Sequence, residues 1–151
     1  MSKFTIVCDT REQLPIVWRE SQAVAGTLRK KLDVGDYSIL GMEDVLAIER
    51  KGTCQEFAHN ILEDRFYREL ERLNLYKYAF LILEFSMDEM EAYPFKTKLP
   101  KSVVRKIRVR GKFLLKKLVE IECKYPNIQV IFSEYGAKDL IEKICQNIAK
   151  K

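Results

Sequence analysis

The residues with the most evident chemistry lie in two short runs. Gly35-Asp36 is followed, after twelve intervening residues, by Glu49-Arg50-Lys51. On a strand successive side chains alternate between faces, so Glu49 and Lys51 point one way and Arg50 the other. Tyr37–Leu40 and Val45–Glu49 read as strands joined across 41–44, a hairpin that sets Asp36 opposite Glu49 at its open end. Two carboxylates supply hard oxygen ligands for a cation such as Mg²⁺, which keeps several waters and neutralises charge on phosphate oxygens. An amine beside them can orient an attacking water or steady developing negative charge. Asp9, at the end of the apolar, strand-like run Phe4–Cys8, adds a third carboxylate. The same spacing also suits a surface hairpin with solvated charges, so the pattern alone leaves both readings open.

The chain that must position these groups has 151 residues, 47% hydrophobic and 32% charged, which suits one globular domain with a sizeable core. No apolar run approaches the roughly 18 residues of a membrane span. Met1-Ser2-Lys3-Phe4 leads directly into the first strand, so no signal or transit peptide is read there, and a cytoplasmic, nucleoid or nuclear location is expected. The segment 10–31 is ambiguous, broken at Pro15, with a short helix possible near Val24–Lys31. Thr53 and Glu56 have capping-box spacing and open a helix to about Leu75, with Phe57, Ile61, Phe66, Leu70 and Leu73 as its buried stripe. Tyr78–Phe85 is apolar nearly throughout, as in a strand covered on both faces. Ser102 is placed as the cap of a helix to about Lys124, Ile128–Phe132 as a strand, and Ala137–Ala149 as a closing amphipathic helix. Strand, helix, strand, helix implies right-handed crossovers. The expected fold is an α/β sandwich with a mixed central sheet flanked by helices.

The net charge of +5 is concentrated: from Lys96 to Lys117 there are ten Lys or Arg in 22 residues and no Asp or Glu. On the expected helix Arg105, Arg108, Lys112 and Lys116 form a basic ridge beside the apolar stripe, suited to the dense phosphate charge of a duplex. A solvated helix face is the competing reading. The four cysteines (Cys8, Cys54, Cys123, Cys145) lie far apart without a CxxC pair, which argues against zinc and against a disulfide framework. His59 needs no catalytic role, and Trp18 and Tyr37 read as packing residues.

Asp9-Thr10-Arg11-Glu12 at a strand end, then Gly35-Asp36-Tyr37, then Ile48-Glu49-Arg50-Lys51 resemble the nuclease domain of the XPF/Hef family of structure-specific DNA endonucleases, a branch of the PD-(D/E)XK superfamily. Arg65-Phe66 with Leu70 and Leu73, the strand from Phe80 to Glu84 and the closing helix extend the resemblance over nearly the whole chain. The resemblance implies a restriction-endonuclease-like fold and Mg²⁺-dependent hydrolysis of phosphodiesters in branched, flap or fork DNA, in repair or recombination, with Mn²⁺ as a substitute. It makes Asp36 and Glu49 metal ligands, Lys51 the residue that positions water, and Asp9 a further acid that ligates or holds the site's electrostatics. Arg11, Glu12 and Arg50 fall on supporting positions, although Arg50 is as well explained by an ion pair with Glu12 or another acid. Arg65, Lys101, Arg105, Arg108, Arg110, Lys112 and Lys116 would contact DNA.

One position departs from the family pattern. Where the signature carries an Asp after the Glu-Arg-Lys run, this chain has Gln55, a weaker cation ligand, with Glu56 one place along. A catalytically weak or inactive DNA-binding module is therefore a second implied reading, and a superfamily nuclease cutting simple duplex DNA a third. Such enzymes usually carry a helix-hairpin-helix module after the nuclease domain. None is read here, so a single nuclease domain over 1–151 is expected, as a homodimer or paired with a related subunit.

Overall fold

The structure, a computed structural model, describes residues 2–150. Six strands, β1 (Phe4–Cys8), β2 (Val24–Arg29), β3 (Tyr37–Ile39), β4 (Leu46–Lys51), β5 (Tyr78–Leu83) and β6 (Ile128–Phe132), form one sheet in the order β2-β1-β3-β4-β5-β6. β3 runs antiparallel to both of its neighbours, and the β1–β2, β4–β5 and β5–β6 pairs are parallel. The expected mixed sheet is present. Its parallel strands are apolar on both sides because helices cover both faces.

Helices α1 (Cys54–Asn60), α2 (Asp64–Leu73), α3 (Met87–Glu91) and α5 (Gly111–Lys124) bury Phe57, Phe66, Leu70, Met90, Leu114 and Leu118 against one face. The closing helix α6 (Lys138–Ala149) packs Ile141, Ile144 and Ile148 on the other face, beside Trp18 and Tyr37. The β4 side chains divide accordingly: Ala47 belongs to the first core, Leu46 and Ile48 to the second. Continuing that alternation puts Glu49 and Lys51 toward α1 and α2, and Arg50 toward α6.

Three expectations about the elements are corrected. Val24–Arg29 is a strand pairing with β1; Gly26 within it is a poor helix residue, and the pairing satisfies the backbone. The helix expected over 53–75 is two helices broken at 61–63. The buried stripe requires the break: Ile61 to Phe66 is a step of five, which no single helical face accommodates, whereas the other steps are three or four. Thr53 does cap α1, its Oγ1 accepting the Glu56 N–H at 3.1 Å.

The helix expected from Ser102 to Lys124 is likewise interrupted. A single turn, α4 (Lys101–Val104), precedes a non-helical link, and α5 begins only at Gly111. The cause lies at Gly111, whose N–H donates to Tyr93 O at 3.1 Å and whose Cα presses on α3. A Cβ there would lie 1.9 Å from Glu91 O. β-branched Ile107 and Val109 favour the extended link, and both pack on the first core. Arg105, Arg108, Lys112 and Lys116 therefore do not form one helical ridge. Lys112 and Lys116 lie on α5, Arg105 ends α4 and Arg108 lies in the link, all four exposed.

A candidate active-site cleft at one rim of the sheet

Asp9 follows β1, Asp36 precedes β3, and Glu49 to Lys51 end β4, so the antiparallel turn of β3 brings all of them to one rim of the sheet. The backbone ties them there: Asp9 N–H donates to Asp36 O at 2.8 Å, and Asp36 N–H to Ile48 O at 2.7 Å. Gly35 makes this approach possible. Its φ is +83°, and a Cβ would lie 3.0 Å from Ile48 O. A cleft of about 480 Å³ opens at this rim, lined by Asp9, Arg11, Glu12, Asp36, Glu49, Arg50, Lys51 and Arg65 among others.

Within the cleft the two carboxylates expected to work together do meet. Asp36 Oδ2 accepts the Arg50 N–H at 2.9 Å. The Glu49 carboxyl is pushed well above its ordinary range, first by burial, then by the charge of Asp36 and a hydrogen bond between the two groups, against the opposing pull of Lys51. Two carboxyl groups this close must share a proton or a cation. That donor chemistry, hard oxygens in partial desolvation, fits a divalent metal ion. Lys51 is buried, with its ammonium 5.0 Å from the centroid of the Phe66 ring.

Asp9 is differently placed. Burial alone would raise its carboxyl, but the Leu32 N–H at 2.8 Å and the Arg11 guanidinium, with Nε at 2.9 Å, hold it below the usual value. Both of its oxygens are occupied by these donors. Asp9 lines the cleft as a fixed anion, and among the described residues no three His, Cys, Asp or Glu side chains are grouped to hold a metal. The pair of Asp36 and Glu49 is what the geometry offers as a ligand set.

Arg50 takes the other face, as expected from strand alternation, and its guanidinium pairs with acids there. Its guanidinium forks onto Glu84, with Nε–Oε2 at 2.8 Å and Nη2–Oε1 at 3.0 Å. Its Nη1 donates to Leu14 O at 2.9 Å and lies 3.6 Å from Glu12 Oε2. The Glu12 carboxyl is raised by burial and then by the charge of Asp36, with Arg50 opposing.

Gln55 does not line the cleft, whereas Glu56 does, its Oε1 accepting the Gly52 N–H at 2.9 Å. Arg65 stands at the wall, 3.9 Å from Glu69. Lys101, Arg105, Arg108, Arg110, Lys112 and Lys116 are exposed and lie outside the cleft. The segment 92–100 that leads to Lys101 at the start of α4 follows α3, which itself follows the carboxyl end of β5, so it starts from the same rim of the sheet. Sequence reasoning missed Asp33, Asn60, Glu69 and Arg72, all cleft-lining, and Glu84 beneath Arg50. On α2 a signal existed: Arg65, Glu69 and Arg72 recur at four and three residues on one face.

A family model described as the ERCC4 domain matches residues 8–146. Among solved structures, XPF from Aeropyrum pernix is similar at 20% identity and a TM-score of 0.64, over 97% of this chain and 62% of that one. XPF from Aeropyrum pernix in complex with DNA is similar at 19% identity and a TM-score of 0.64, over 98% and 66% respectively. The chain thus spans less than two thirds of either structure, and at these identities the likeness is one of fold. No curated protein matches.

Proposed function

Because the chain belongs to the ERCC4 domain family of nuclease domains, we propose that it is a metal-dependent endonuclease hydrolysing phosphodiester bonds in branched, flap or fork DNA. The observation that carries this reading is the convergence of Asp36, Glu49 and Lys51 on one face of one cleft, with the two carboxyl groups in contact. Asp36 and Glu49 would hold Mg²⁺, or Mn²⁺ in its place. The bound ion would neutralise charge on a phosphate oxygen and lower the pKa of a water. The residues of the chain do the remainder. Lys51 orients the attacking water or steadies the charge that develops, from a largely buried position beside the Phe66 ring. Asp9, pinned by Arg11 and Leu32, keeps a constant negative potential beside the pair. Arg65 and Arg11 offer guanidinium groups at the mouth, and the exposed cations Lys101, Arg105, Arg108, Arg110, Lys112 and Lys116 extend a phosphate-binding surface from the same rim.

Incubation with labelled fork, flap and linear duplexes in Mg²⁺ or Mn²⁺ tests the proposal. Cleavage of branched substrates, abolished by Glu49→Ala and Lys51→Ala, is the expected result. Absence of cleavage under every condition, or full activity of both variants, defeats it. The residue type at position 55, Gln where the signature carries Asp, motivates one competing reading, a DNA-binding module without turnover, which gives salt-dependent binding and no product. A nuclease of simple duplexes would cut without regard to junctions.

A further inference from the structure

We propose that Glu84 is a positioning residue for the cleft: through Arg50 it fixes the lip formed by Glu12 to Leu14, and it joins that lip to the start of α6. The catalytic consequence rests on the nuclease reading above; the structural coupling does not.

Glu84 follows the last residue of β5, and its own N–H donates to Lys51 O at 2.9 Å, so it sits directly beside the end of the catalytic strand. Strand alternation aims it at the α6 face, away from the cleft acids. Its side chain is only 8% exposed and that of Arg50 14%, so the pair is largely withdrawn from water. A carboxylate in that position is tolerated because every direction is answered. Oε2 meets Arg50 Nε at 2.8 Å, and Oε1 meets Arg50 Nη2 at 3.0 Å and the Ala137 N–H at 3.0 Å. Bidentate pairing of this kind fixes the plane of a guanidinium as well as its distance.

With that plane fixed, one nitrogen of Arg50 remains for the cleft side. Nη1 donates to Leu14 O at 2.9 Å and stands 3.6 Å from Glu12 Oε2. The lip is irregular backbone, and besides Arg50 only a few contacts hold it: Arg29 Nη2 donates to Glu12 O at 3.3 Å, and the Leu14 N–H donates to the Glu12 carboxylate. Glu12 N–H donates to Asp9 O, and Ile16 N–H to Tyr37 Oη at 2.9 Å, and the side chain of Leu14 is exposed. Since Glu12, Gln13 and Leu14 all line the cleft, the orientation of Arg50 determines where that wall stands relative to Asp36 and Glu49. A single carboxylate therefore spans β4, β5, α6 and the lip.

The test is amide hydrogen exchange on the intact protein. Glu84→Gln keeps an oxygen for the Ala137 N–H but cannot form the charged fork with Arg50. Exchange at Glu12, Leu14 and Ile16 is expected to rise at least tenfold, while amides of β2 and α5 keep their wild-type rates. Adding Glu84→Gln to Arg50→Gln should change the lip no further, because both act through one contact. Unchanged exchange at the lip overturns the proposal, and so does a rise spread evenly over all elements, which a merely structural role produces. If Glu84→Gln does not fold, Arg50→Lys, which cannot serve Glu84 and Leu14 together, replaces it with the same expected and overturning outcomes. On an active enzyme, Glu84→Gln should lower kcat by about tenfold with KM for DNA within twofold. A wild-type protein that cuts nothing defeats the nuclease reading while the exchange result still decides this one.

Discussion

The ammonium of Lys51 lies over the ring of Phe66, 5.0 Å from its centroid, so a residue on α2 sets the environment of an amine on β4. A cation over an aromatic face is attracted by the negative potential of the ring, in addition to the charge of Glu49 beside it. In the proposed reaction, Lys51→Met removes the amine and keeps the packing. It should lower the cleavage rate by about 10²–10⁴-fold. Binding of Mn²⁺, measured by titration calorimetry, should persist in the same variant because Asp36 and Glu49 are untouched. Loss of metal binding together with cleavage would remove Lys51 from the role given to it.

The departure at Gln55 leads to a second expectation. Gln55 stands outside the cleft, whereas Glu56 lines it and accepts the Gly52 N–H immediately after Lys51. Gln55→Ala should therefore leave cleavage within about twofold, while Glu56→Ala should lower it by roughly 10–100-fold, the range typical of residues that orient a metal site from behind its ligands. Comparable losses from both substitutions would show that position 55 retains the supporting role.

A third expectation concerns the break before α5. Gly111→Ala would place a Cβ 1.9 Å from Glu91 O and 2.7 Å from Met90 O, which are backbone atoms that cannot rotate aside. The cost should reach about 3 kcal/mol, at the upper end of ordinary overpacking. Thermal unfolding should then fall by roughly 6–12 °C for a domain of this size. A variant with the midpoint of the wild type would mean that α3 and α5 do not meet at this glycine.

The site was more legible in the sequence than the elements around it. Glu49, Arg50 and Lys51 are consecutive on a strand, so period-two alternation alone assigns their faces, and Gly35 marks a conformation that few other residues adopt. The helices were harder, because their ends here are decided by tertiary contacts. Nothing local to 105–111 reveals that Glu91 O will lie against Gly111, and the register gap between Ile61 and Phe66 becomes a break only when both must face the same sheet. In the sequence Glu84 is only the end of an apolar strand. Its role depends on Arg50, which is adjacent in the sheet but 34 residues away in the chain.

The cysteines provide a check on the packing that is independent of the nuclease reading. Cys8, Cys54 and Cys145 are buried and Cys123 is exposed on α5. Burial pushes the Cys54 and Cys145 thiols up to about 12, and raises Cys8 as well. Because the thiolate is the reactive form, these three should be protected twice over, by access and by protonation. At pH 8 a chromogenic disulfide reagent should titrate one thiol in the native protein and four after denaturation. The same shifts bear on stability. Between the unperturbed thiol value of 9.0 and about 12 the folded state binds more protons at Cys54 and Cys145 than the unfolded state does. Stability must then fall as pH rises through that window, and the contribution is fully present below it. Urea midpoints measured from pH 8 to 10.5 should decline, and Cys54→Ala/Cys145→Ala, though less stable throughout, should decline less steeply. Equal slopes for the two proteins would show that these thiols are not desolvated as the structure has them.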